Sequence, residues 1–219
     1  CCFAFHLTSL CLLSFFCFVL FLSWRWFYCI SLSQANRYVV PEDLSRVELK
    51  ATCHTGPVHQ LCFPRGCSDL VVSCSTNDIR VWNLHLRQEL LRIQVPNLEC
   101  LCCQVTPSGG AIVSGWDDGK IRAFYPESGR LKFVINDAHM EKVTALAISD
   151  DDTQSSWRIV SGGHDGRVRV WSVTPTHQRL LHTMKEHRGA IQFLKINHDG
   201  TQCVSASADG SCIVWDLER

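Results

Sequence analysis

Histidine, serine and aspartate recur as a set in the second half of the chain. The first set is His139, Ser161 and Asp165, and the second is His187, Ser205 and Asp209. These are the residue types of a nucleophilic triad, in which a histidine takes the proton of a serine and a carboxylate orients the imidazole. A catalytic triad, however, occurs once, with its nucleophile exposed in a cleft. The repetition therefore favours a buried network that rigidifies a repeated unit, and we predict no enzyme.

Two other segments carry groups that could bind a metal. Cys100 and Cys103 have the C-x-x-C spacing of zinc and redox sites. In a strand Cys100 and Cys102 would face one way and Cys103 the other, so packing is the favoured interpretation. The acidic run from Asp150 to Trp157 is expected to be a solvated loop, since a hard cation needs converging oxygens. We expect no catalytic residue, no metal and no cofactor.

Composition limits the classes of binding partner and the cellular compartment that the sequence predicts. The 219 residues include 21 basic and 21 acidic side chains, so nothing predicts nucleic acid binding, and no feature predicts a small-molecule substrate. Of the 14 cysteines, five lie between Cys1 and Cys29, and most of the others fall at predicted strand positions. This placement favours free, buried thiols and a reduced, cytosolic repeat region.

The segment 1–34 differs from the rest of the chain. Its first part, 1–24, contains no Asp, Glu, Lys or Arg and is long enough to span a bilayer. Most positions in 1–34 are Phe, Leu, Ser or Cys, whose codons are pyrimidine-rich, and Gln34 can be encoded by CAG. Because a polypyrimidine tract ending in CAG is typical of the 3′ end of an intron, the favoured interpretation is a gene-model artefact. A membrane or signal segment is the alternative, and membrane association would depend on it.

The elements that position the recurring residues are β-hairpins ending on an aromatic residue. The aromatic positions Trp82, Phe124, Trp171 and Trp215 lie 42, 47 and 44 residues apart. A period of roughly 40–45 residues is typical of propeller blades, each with four antiparallel strands, a to d. Asp-Gly dipeptides predict the tight turn between strands b and c in the last three repeats. In the first repeat the turn is one residue shorter, and Asn77 replaces glycine.

These signals predict an all-β, partial propeller of about four blades over residues 35–219. The expected repeats are about 46–93, 94–135, 136–184 and 185–219. The fourth repeat has no strand d, whereas Arg46–Ala51 has the pattern of a strand d without a blade. That strand could complete the fourth blade and close a small ring. The favoured alternative is that the chain is a fragment of a seven-bladed or tandem propeller.

From Arg46 to Asp216 the repeats resemble the WD40 family. In that family a His, a strand-b Ser, a turn Asp and a strand-c Trp form a hydrogen-bonded tetrad in each blade. The resemblance implies two tetrads, which are His139, Ser161, Asp165 and Trp171, and His187, Ser205, Asp209 and Trp215. It implies partial tetrads at His54 and Trp82, with the aspartate left open, and at Ser114, Asp118 and Phe124, where phenylalanine lacks an indole N–H.

Loops at one face of WD40 proteins commonly bind partners. The candidate partner-binding residues are Trp116, Asp117, Met140, His164 and Arg188, since aromatic and arginine side chains are enriched at interaction hot spots. Ordinary loop residues are the alternative interpretation. Arg80, Arg122 and Arg169 recur on strand c and are expected on the blade exterior, where they either meet an acidic partner or simply remain solvated.

Several runs, including Asn77–Trp82 and Asp118–Phe124, are similar to the C-terminal half of an axonemal member of the family. This resemblance implies a non-enzymatic scaffold in the cytoplasm and cytoskeleton, located in the axoneme of cilia or flagella. The implied partners are tubulin and other microtubule inner proteins. The alternative is a cytosolic WD40 adaptor that binds peptide or protein partners.

Overall fold

The computed structural model describes residues 4–5, 53–151 and 156–218, and every regular element in these ranges is a β-strand. This confirms the predicted all-β class. Within the described ranges, no helix is long and apolar enough to cross a membrane. The strands are β1 (Ala4–Phe5), β2 (Val58–Cys62), β3 (Leu70–Asn83), β4 (Gln88–Val105), β5 (Ile112–Trp116), β6 (Ile121–Phe124), β7 (Leu131–Ile135), β8 (Val143–Asp151), β9 (Ser156–Gly163), β10 (Val168–Val173), β11 (Gln178–Met184), β12 (Ile191–Ile196), β13 (Gln202–Ser207) and β14 (Cys212–Asp216).

These strands form four blades of antiparallel strands. Blade 1 comprises β2, β3 and the first half of β4, and blade 2 comprises the rest of β4 with β5, β6 and β7. Blade 3 is β8 to β11, and blade 4 is β12 to β14 with β1 beside β14. β3 supplies two neighbouring strands because it folds back at Asn77, and the Leu84 N–H donates to the Asp69 carbonyl across this hairpin at 2.7 Å. β4 pairs with β3 through Gln88–Gln94 and with β5 through Cys100–Val105, so it joins two blades.

The turns between strands b and c have the left-handed conformation that the sequence predicts. The φ angle is 74° at Gly119, 70° at Gly166 and 83° at Gly210. In the shorter turn of blade 1 the φ angle of Asn77 is 70°. Asparagine accepts this conformation at lower cost than most side chains, so the four hairpins turn in the same sense.

The sequence predicts a loop from Asp150 to Trp157 in blade 3, but both ends of this segment belong to strands. Asp150 pairs with Trp157 and Asp151 with Ser156, so strands a and b are longer in this blade than in the others. The Trp157 ring packs 5.8 Å from the ring of Phe133 on the preceding blade. This contact gives the extension apolar burial that a solvated loop would lack.

The strand beside β14 comes from the start of the chain. Ala4 pairs with Ile213 and Phe5 with Cys212, so β1 occupies the position of strand d in blade 4. The segment Arg46–Ala51, predicted as a strand d, lies outside the described residues.

Among the described residues, the core consists of three clusters, each between two successive blades. One blade contributes what we call its forward face, and the next contributes its back face. The forward face of blade 3 comprises Ala145, Ala147, Val160, Val168 and Val170. The back face of blade 4 comprises Ile191, Leu194, Ile196, Cys203, Ile213, Trp215 and Leu217. Since each large apolar side chain contributes about 1.5–3 kcal/mol when fully buried, the stacking of blades is the main source of stability.

At one position of strand b, glycine allows a blade to approach the next one closely, and this occurs in two pairs of blades. A Cβ added at Gly162 would lie 2.5 Å from Ile191 Cγ2, and one at Gly115 would lie 2.6 Å from Val143 Cγ1. Both distances are shorter than any ordinary carbon contact, so strand b of one blade lies directly against strand a of the next.

Candidate functional site

In blade 3, the histidine before strand a reaches the hairpin of strands b and c. His139 Nε2 lies 2.9 Å from Ser161 Oγ, and His139 Nδ1 lies 3.0 Å from Asp165 Oδ1. The Trp171 indole N–H donates to Ser161 Oγ at 3.0 Å. Because an ionised carboxylate only accepts, Nδ1 carries the proton and the Ser161 hydroxyl donates to Nε2. The four side chains form one directional hydrogen-bond network.

Burial sets the charge state of this network. Burial lowers the pKa of His139 below its ordinary value, and this outweighs the opposing hydrogen bond with Asp165. For Asp165, burial acts to raise the pKa, but the hydrogen bond and charge of His139, with help from Arg169, lower it to about 2. Ser161 is 0% exposed. A substrate therefore cannot reach the serine oxygen, although the order of contacts is that of a triad.

Blade 4 brings the same residue types together. His187 Nε2 lies 2.6 Å from Ser205 Oγ, and the Trp215 indole N–H donates to the same oxygen at 2.7 Å. His187 Nδ1 lies 3.3 Å from Asp209 Oδ2 and 2.9 Å from Ser211 Oγ. The Ser211 hydroxyl in turn donates to Asp209 Oδ1 at 2.5 Å. A second serine thus links the histidine to the turn aspartate.

Blade 1 also holds a complete network, although the sequence left its aspartate open. His54 Nε2 lies 2.6 Å from Ser73 Oγ, which accepts the Trp82 indole N–H at 2.8 Å. His54 Nδ1 makes a close hydrogen bond with Asp78. Asp78 directly follows Asn77, so the turn that is one residue shorter still places a carboxylate beside the histidine.

Blade 2 lacks the network. Asn97 occupies the region of the histidine and is exposed, with a φ angle of 61°. Ser114 Oγ instead accepts the indole N–H of Trp116 at 2.8 Å, while Phe124 packs in the core. Trp116 is 0% exposed. Its prediction as a partner-binding residue is therefore corrected, because the indole is buried beneath the loops and bonded to Ser114.

The strand-c arginines are not on the blade exterior, so that expectation is wrong. Each points back to the turn aspartate of its own hairpin. The pairs are Arg80 with Asp78 at 2.7 Å, Arg122 with Asp118 at 2.6 Å, and Arg169 with Asp165 at 3.6 Å. Arg80 and Arg169 are only 2% and 8% exposed. These side chains therefore neutralise the turn carboxylates of their own hairpins and are not displayed to an acidic partner.

The candidate partner-binding residues other than Trp116 lie at the end of the blades that carries the b–c turns. Met140 is 78% exposed, and His164 and Arg188 are also exposed. Asp117 is half-buried, and its Oδ1 accepts the Glu99 N–H at 3.0 Å. Backbone bonds join each turn to the segment before strand a, as between the His164 N–H and the Lys142 carbonyl at 2.9 Å. We call this end of the molecule the loop face.

Sequence reasoning missed a charged group that crosses three blades on this face. Glu99 Oε1 lies 3.0 Å from His59 Nε2, and Glu99 Oε2 lies 3.4 Å from Lys142 Nζ. Beside it, His164 Nδ1 lies 2.5 Å from Glu141 Oε2. The position of Glu99 at the start of a strand a was the available signal, but its two partners belong to other repeats, one on either side in the sequence.

All nine cysteines in the described part of the chain are free, and six of them are buried in the core, whereas Cys53, Cys67 and Cys212 are half-buried. Cys100 and Cys103 join the cluster between blades 1 and 2, whereas Cys102 joins the next cluster. The predicted alternation is wrong because a β-bulge between Cys100 and Cys102 shifts the register. Burial raises the pKa of Cys102 well above its ordinary value. Among the described residues, no group of His, Cys, Asp and Glu has the arrangement of a metal site.

The stacked four-stranded blades place the chain in the β-propeller class. The fold is similar to two solved, computationally designed proteins, Ika4 and Ika8, each with a TM-score of 0.61 and 26% identity. The similarity covers 75% of this chain and 93% of Ika4, and 78% of this chain and 48% of Ika8. The WD domain, G-beta repeat family matches residues 47–83, 130–172 and 178–216. The chain belongs to the WD40 repeat family.

Several curated proteins resemble most of the chain. Cilia- and flagella-associated protein 52 of Mus musculus is 47% identical over 171 residues, covering 78% of this chain and 27% of that protein. Its counterpart in Chlamydomonas reinhardtii is 46% identical over 188 residues, covering 86% and 30%. WD repeat-containing protein 90 of Mus musculus is 28% identical over 143 residues, covering 63% and 7%. The chain spans less than a third of the length of these relatives.

Proposed function

We propose that the chain is a non-enzymatic scaffold of cilia and flagella, acting as a microtubule inner protein in axonemal doublets. In this role it contacts tubulin and other inner proteins through several surfaces at once and supports cilium motility. The observation that carries the proposal is the identity of 46–47% to proteins named cilia- and flagella-associated protein 52 in a mammal and a green alga.

The side-chain networks support a structural role. Three of the four blades hold a His, Ser, Asp and Trp network in which the histidine and the serine are buried, and the serines are 0% exposed. Hydrogen-bonded side-chain networks rigidify the elements that they join. A rigid molecule loses little conformational entropy when it binds, which suits a protein held permanently between partners.

Retention in isolated axonemes tests this function. The full chain, tagged and expressed in ciliated cells, is expected to stay with demembranated axonemes through washes of increasing salt concentration. A protein held through several surfaces is released only when all of its contacts break at the same time, whereas a soluble adaptor is removed in the first wash. Complete release at low salt concentration would contradict the proposal.

A matched pair of variants separates the loop face from the rest of the surface. Arg188 is exposed on the loop face, and Arg179 is exposed on the outer strand β11. If the loop face binds the axoneme, Arg188→Glu lowers retention at a given salt concentration and Arg179→Glu does not. Equal retention of the two variants would remove Arg188 from the partner-binding residues, which are proposed as Asp117, Met140, His164 and Arg188.

The second candidate function is a cytosolic adaptor that binds peptide or protein partners. The 78% exposure of Met140 beside charged side chains favours it, because exposed apolar groups framed by polar ones are common at protein interfaces. Loss of the chain in the first axoneme wash, with capture of a partner that Met140→Glu abolishes, would support this alternative.

The domain division is also a proposal. We propose residues 35–219 as the propeller part and residues 1–34 as a gene-model artefact. Full-length transcripts from ciliated tissue test this at the junction between Gln34 and Ala35. Transcripts in which Ala35 joins further upstream repeats support it, and transcripts that contain the apolar run contradict it.

A further inference from the structure

The interface between blades 1 and 2 is rich in thiols. Its core cluster holds four buried cysteines, which are Cys62, Cys74, Cys100 and Cys103. Among the described residues, each of the other two core clusters holds one cysteine, Cys102 between blades 2 and 3 and Cys203 between blades 3 and 4. An isolated thiol in a core packs as a small apolar group, whereas neighbouring thiols can also react with each other. The chemistry of this interface therefore differs from that of the other two.

Two of these cysteines face each other where successive blades approach closely. The strand registers place Cys74 at the position of Gly162 and Cys100 at the position of Ile191. A Cβ added at Gly162 would lie 2.7 Å from Ile191 Cβ. In a disulfide the two Cβ atoms lie about 3.5–4.5 Å apart. The Cβ that Cys74 carries requires a blade spacing about 1 Å wider than at Gly162, and this wider spacing is the one that a disulfide needs.

The sulfur atoms of this pair are already joined by a hydrogen bond. The Cys74 sulfur accepts from the thiols of Cys100 and Cys103 and from the Gln60 N–H. Burial acts to raise the pKa of Cys74, but these hydrogen bonds lower it well below its ordinary value. Burial, together with the hydrogen bond to Cys74, raises the pKa of Cys100 well above its ordinary value. Since the thiolate is the reactive form of cysteine, Cys74 is the nucleophile of the set and Cys100 is its neighbouring thiol.

We propose that Cys74 and Cys100 are a modification site, at which a hydroperoxide produces a reversible disulfide between blades 1 and 2. The Cys74 thiolate attacks one oxygen of hydrogen peroxide, the O–O bond breaks, and the other oxygen takes up a proton and leaves as water. The Cys100 sulfur then attacks the sulfenic sulfur of Cys74, the S–O bond breaks, and the oxygen leaves with the Cys100 proton as a second water. The two thiols lose two electrons, the peroxide gains them, and a thiol reductant restores both cysteines.

The Cys74 sulfur lies directly beneath a residue that solvent reaches. Gln60, whose N–H donates to this sulfur, is half-buried on the inner strand β2, and its side-chain oxygen accepts the Cys103 N–H at 2.9 Å. Hydrogen peroxide is little larger than water, so local opening of this one strand admits it to the thiols. Cys203 provides the contrast, because it is 0% exposed and burial raises its pKa to about 12. A neutral, buried thiol of this kind is inert.

Peptide mapping of the full chain tests the proposal. After treatment with hydrogen peroxide, the remaining thiols are alkylated, and the linked peptides are identified by mass spectrometry without reduction. We expect a link between Cys74 and Cys100 that dithiothreitol removes, and loss of the Cys74 thiol at least about 10-fold faster than loss of the Cys203 thiol. Cys100→Ala should abolish the link. Cys103→Ala is the matched control, because it removes the other hydrogen-bonded thiol and keeps the pair.

Urea denaturation gives a second readout, for which the wild-type chain is sufficient. A disulfide between Cys74 and Cys100 closes a loop and restricts the unfolded chain. The peroxide-treated chain should therefore have a higher denaturation midpoint than the same chain after dithiothreitol. In Cys100→Ala the two midpoints should coincide.

Three outcomes in the folded chain would overturn the proposal. These are the absence of the link, a link between Cys74 and Cys103 in its place, and oxidation of Cys203 at the same rate as Cys74. Peroxide treatment in concentrated urea is the control for folding, because the unfolded chain should link its 14 cysteines without preference. An equal preference for the link between Cys74 and Cys100 in urea would show that the folded interface is not its cause, and would also overturn the proposal.

Discussion

Blades 2 and 3 have the same strand plan but hold it together by different means. In blade 3, His139, Ser161, Asp165 and Trp171 bond in series, and Arg169 lies beside the carboxylate. In blade 2 the serine bonds to a tryptophan two residues away on its own strand. The hairpin turn there is held by an ion pair between Asp118 and Arg122. In both blades the polar side chains of the b–c hairpin have partners. Blade 3 provides them through the full network, and blade 2 provides them through contacts within the hairpin.

The difference shows where stability is concentrated. The network of blade 3 ties the segment before strand a to strands b and c, so its loss frees three elements together. The contacts of blade 2 lie within one hairpin, and their loss is local. Variants in equivalent positions of the two blades measure this difference directly.

The largest expected contrast is between Asp165→Ala and Asp118→Ala. Removing the Asp165 carboxylate leaves the His139 N–H without its acceptor and the Arg169 guanidinium without its opposite charge. Because both groups are buried, the free energy of unfolding should fall by about 3 kcal/mol. Asp118→Ala removes a partly exposed ion pair with Arg122 and should cost about 1 kcal/mol or less. Urea denaturation of the full chain at neutral pH measures both values. Equal losses of unfolding free energy in the two variants would mean that the turn aspartate contributes equally to both blades.

Phe124→Trp tests whether restoring the strand-c tryptophan is enough to give blade 2 a network like that of blade 3. We expect a loss of about 2 kcal/mol, because Phe124 is 4% exposed and the larger ring overpacks the core. The new indole also lacks an acceptor, since Ser114 already accepts from Trp116. Trp171→Phe is the reciprocal variant in blade 3 and should cost about 1–2 kcal/mol through the lost hydrogen bond. A stability gain for Phe124→Trp in thermal unfolding would contradict this explanation.

A smaller effect is expected at the short turn of blade 1. Asn77→Ala places a residue with Cβ at a φ angle of 70° without the side-chain amide, and should cost about 1 kcal/mol. Asn77→Gly should be neutral within about 0.5 kcal/mol, since glycine accepts this conformation readily. Gly119→Ala in blade 2 should cost more than Asn77→Ala, because its Cβ would lie 2.4 Å from the His139 carbonyl oxygen. Denaturation midpoints of the three variants give the order.

The smallest effect is a pH dependence that blade 2 does not share. Burial lowers the pKa of His54 and of His139 in the folded chain, so the unfolded chain binds protons at higher pH. The stability that the neutral imidazoles contribute is present above pH 6.5 and is lost as the pH falls through the folded pKa values. Asp165 adds a second loss as the pH falls from 3.8 towards about 2.

Unfolding free energies at pH 8 and pH 5.5 should therefore differ in the wild-type chain. His139→Asn, which gives blade 3 the residue found in blade 2, should reduce the difference. His182→Asn is the control, because His182 is exposed on β11. An unchanged pH difference in His139→Asn would show that this histidine is not responsible.

Much of the fold could be predicted because its signals are local. Each hairpin that ends on an aromatic residue and each Asp-Gly turn is encoded by a few neighbouring residues, and the turn glycines Gly119, Gly166 and Gly210 have the left-handed φ angles that the sequence predicts. The φ angle of Asn77 follows from the length of one turn.

The errors share a cause, which is that alternation fixes a face only while the register holds. One bulge moves Cys102 to the other side of its strand from the predicted one. The Trp116 indole bonds to Ser114, whose oxygen Phe124 cannot engage, and Arg169 turns inward to the Ala138 carbonyl and Asp165. Such compensation between positions is visible only when the strands are placed side by side.

The pairing of forward and back faces determines the order in which the blades unfold. Each blade contacts only its neighbours, so the free energy of the array is a sum of nearest-neighbour terms, as in a one-dimensional chain of spins. Among the described residues, blades 2 and 3 each bury two faces, whereas blades 1 and 4 each bury one. Native-state opening of this chain should therefore begin at blades 1 and 4, and the last amides to exchange should be those between blades 2 and 3.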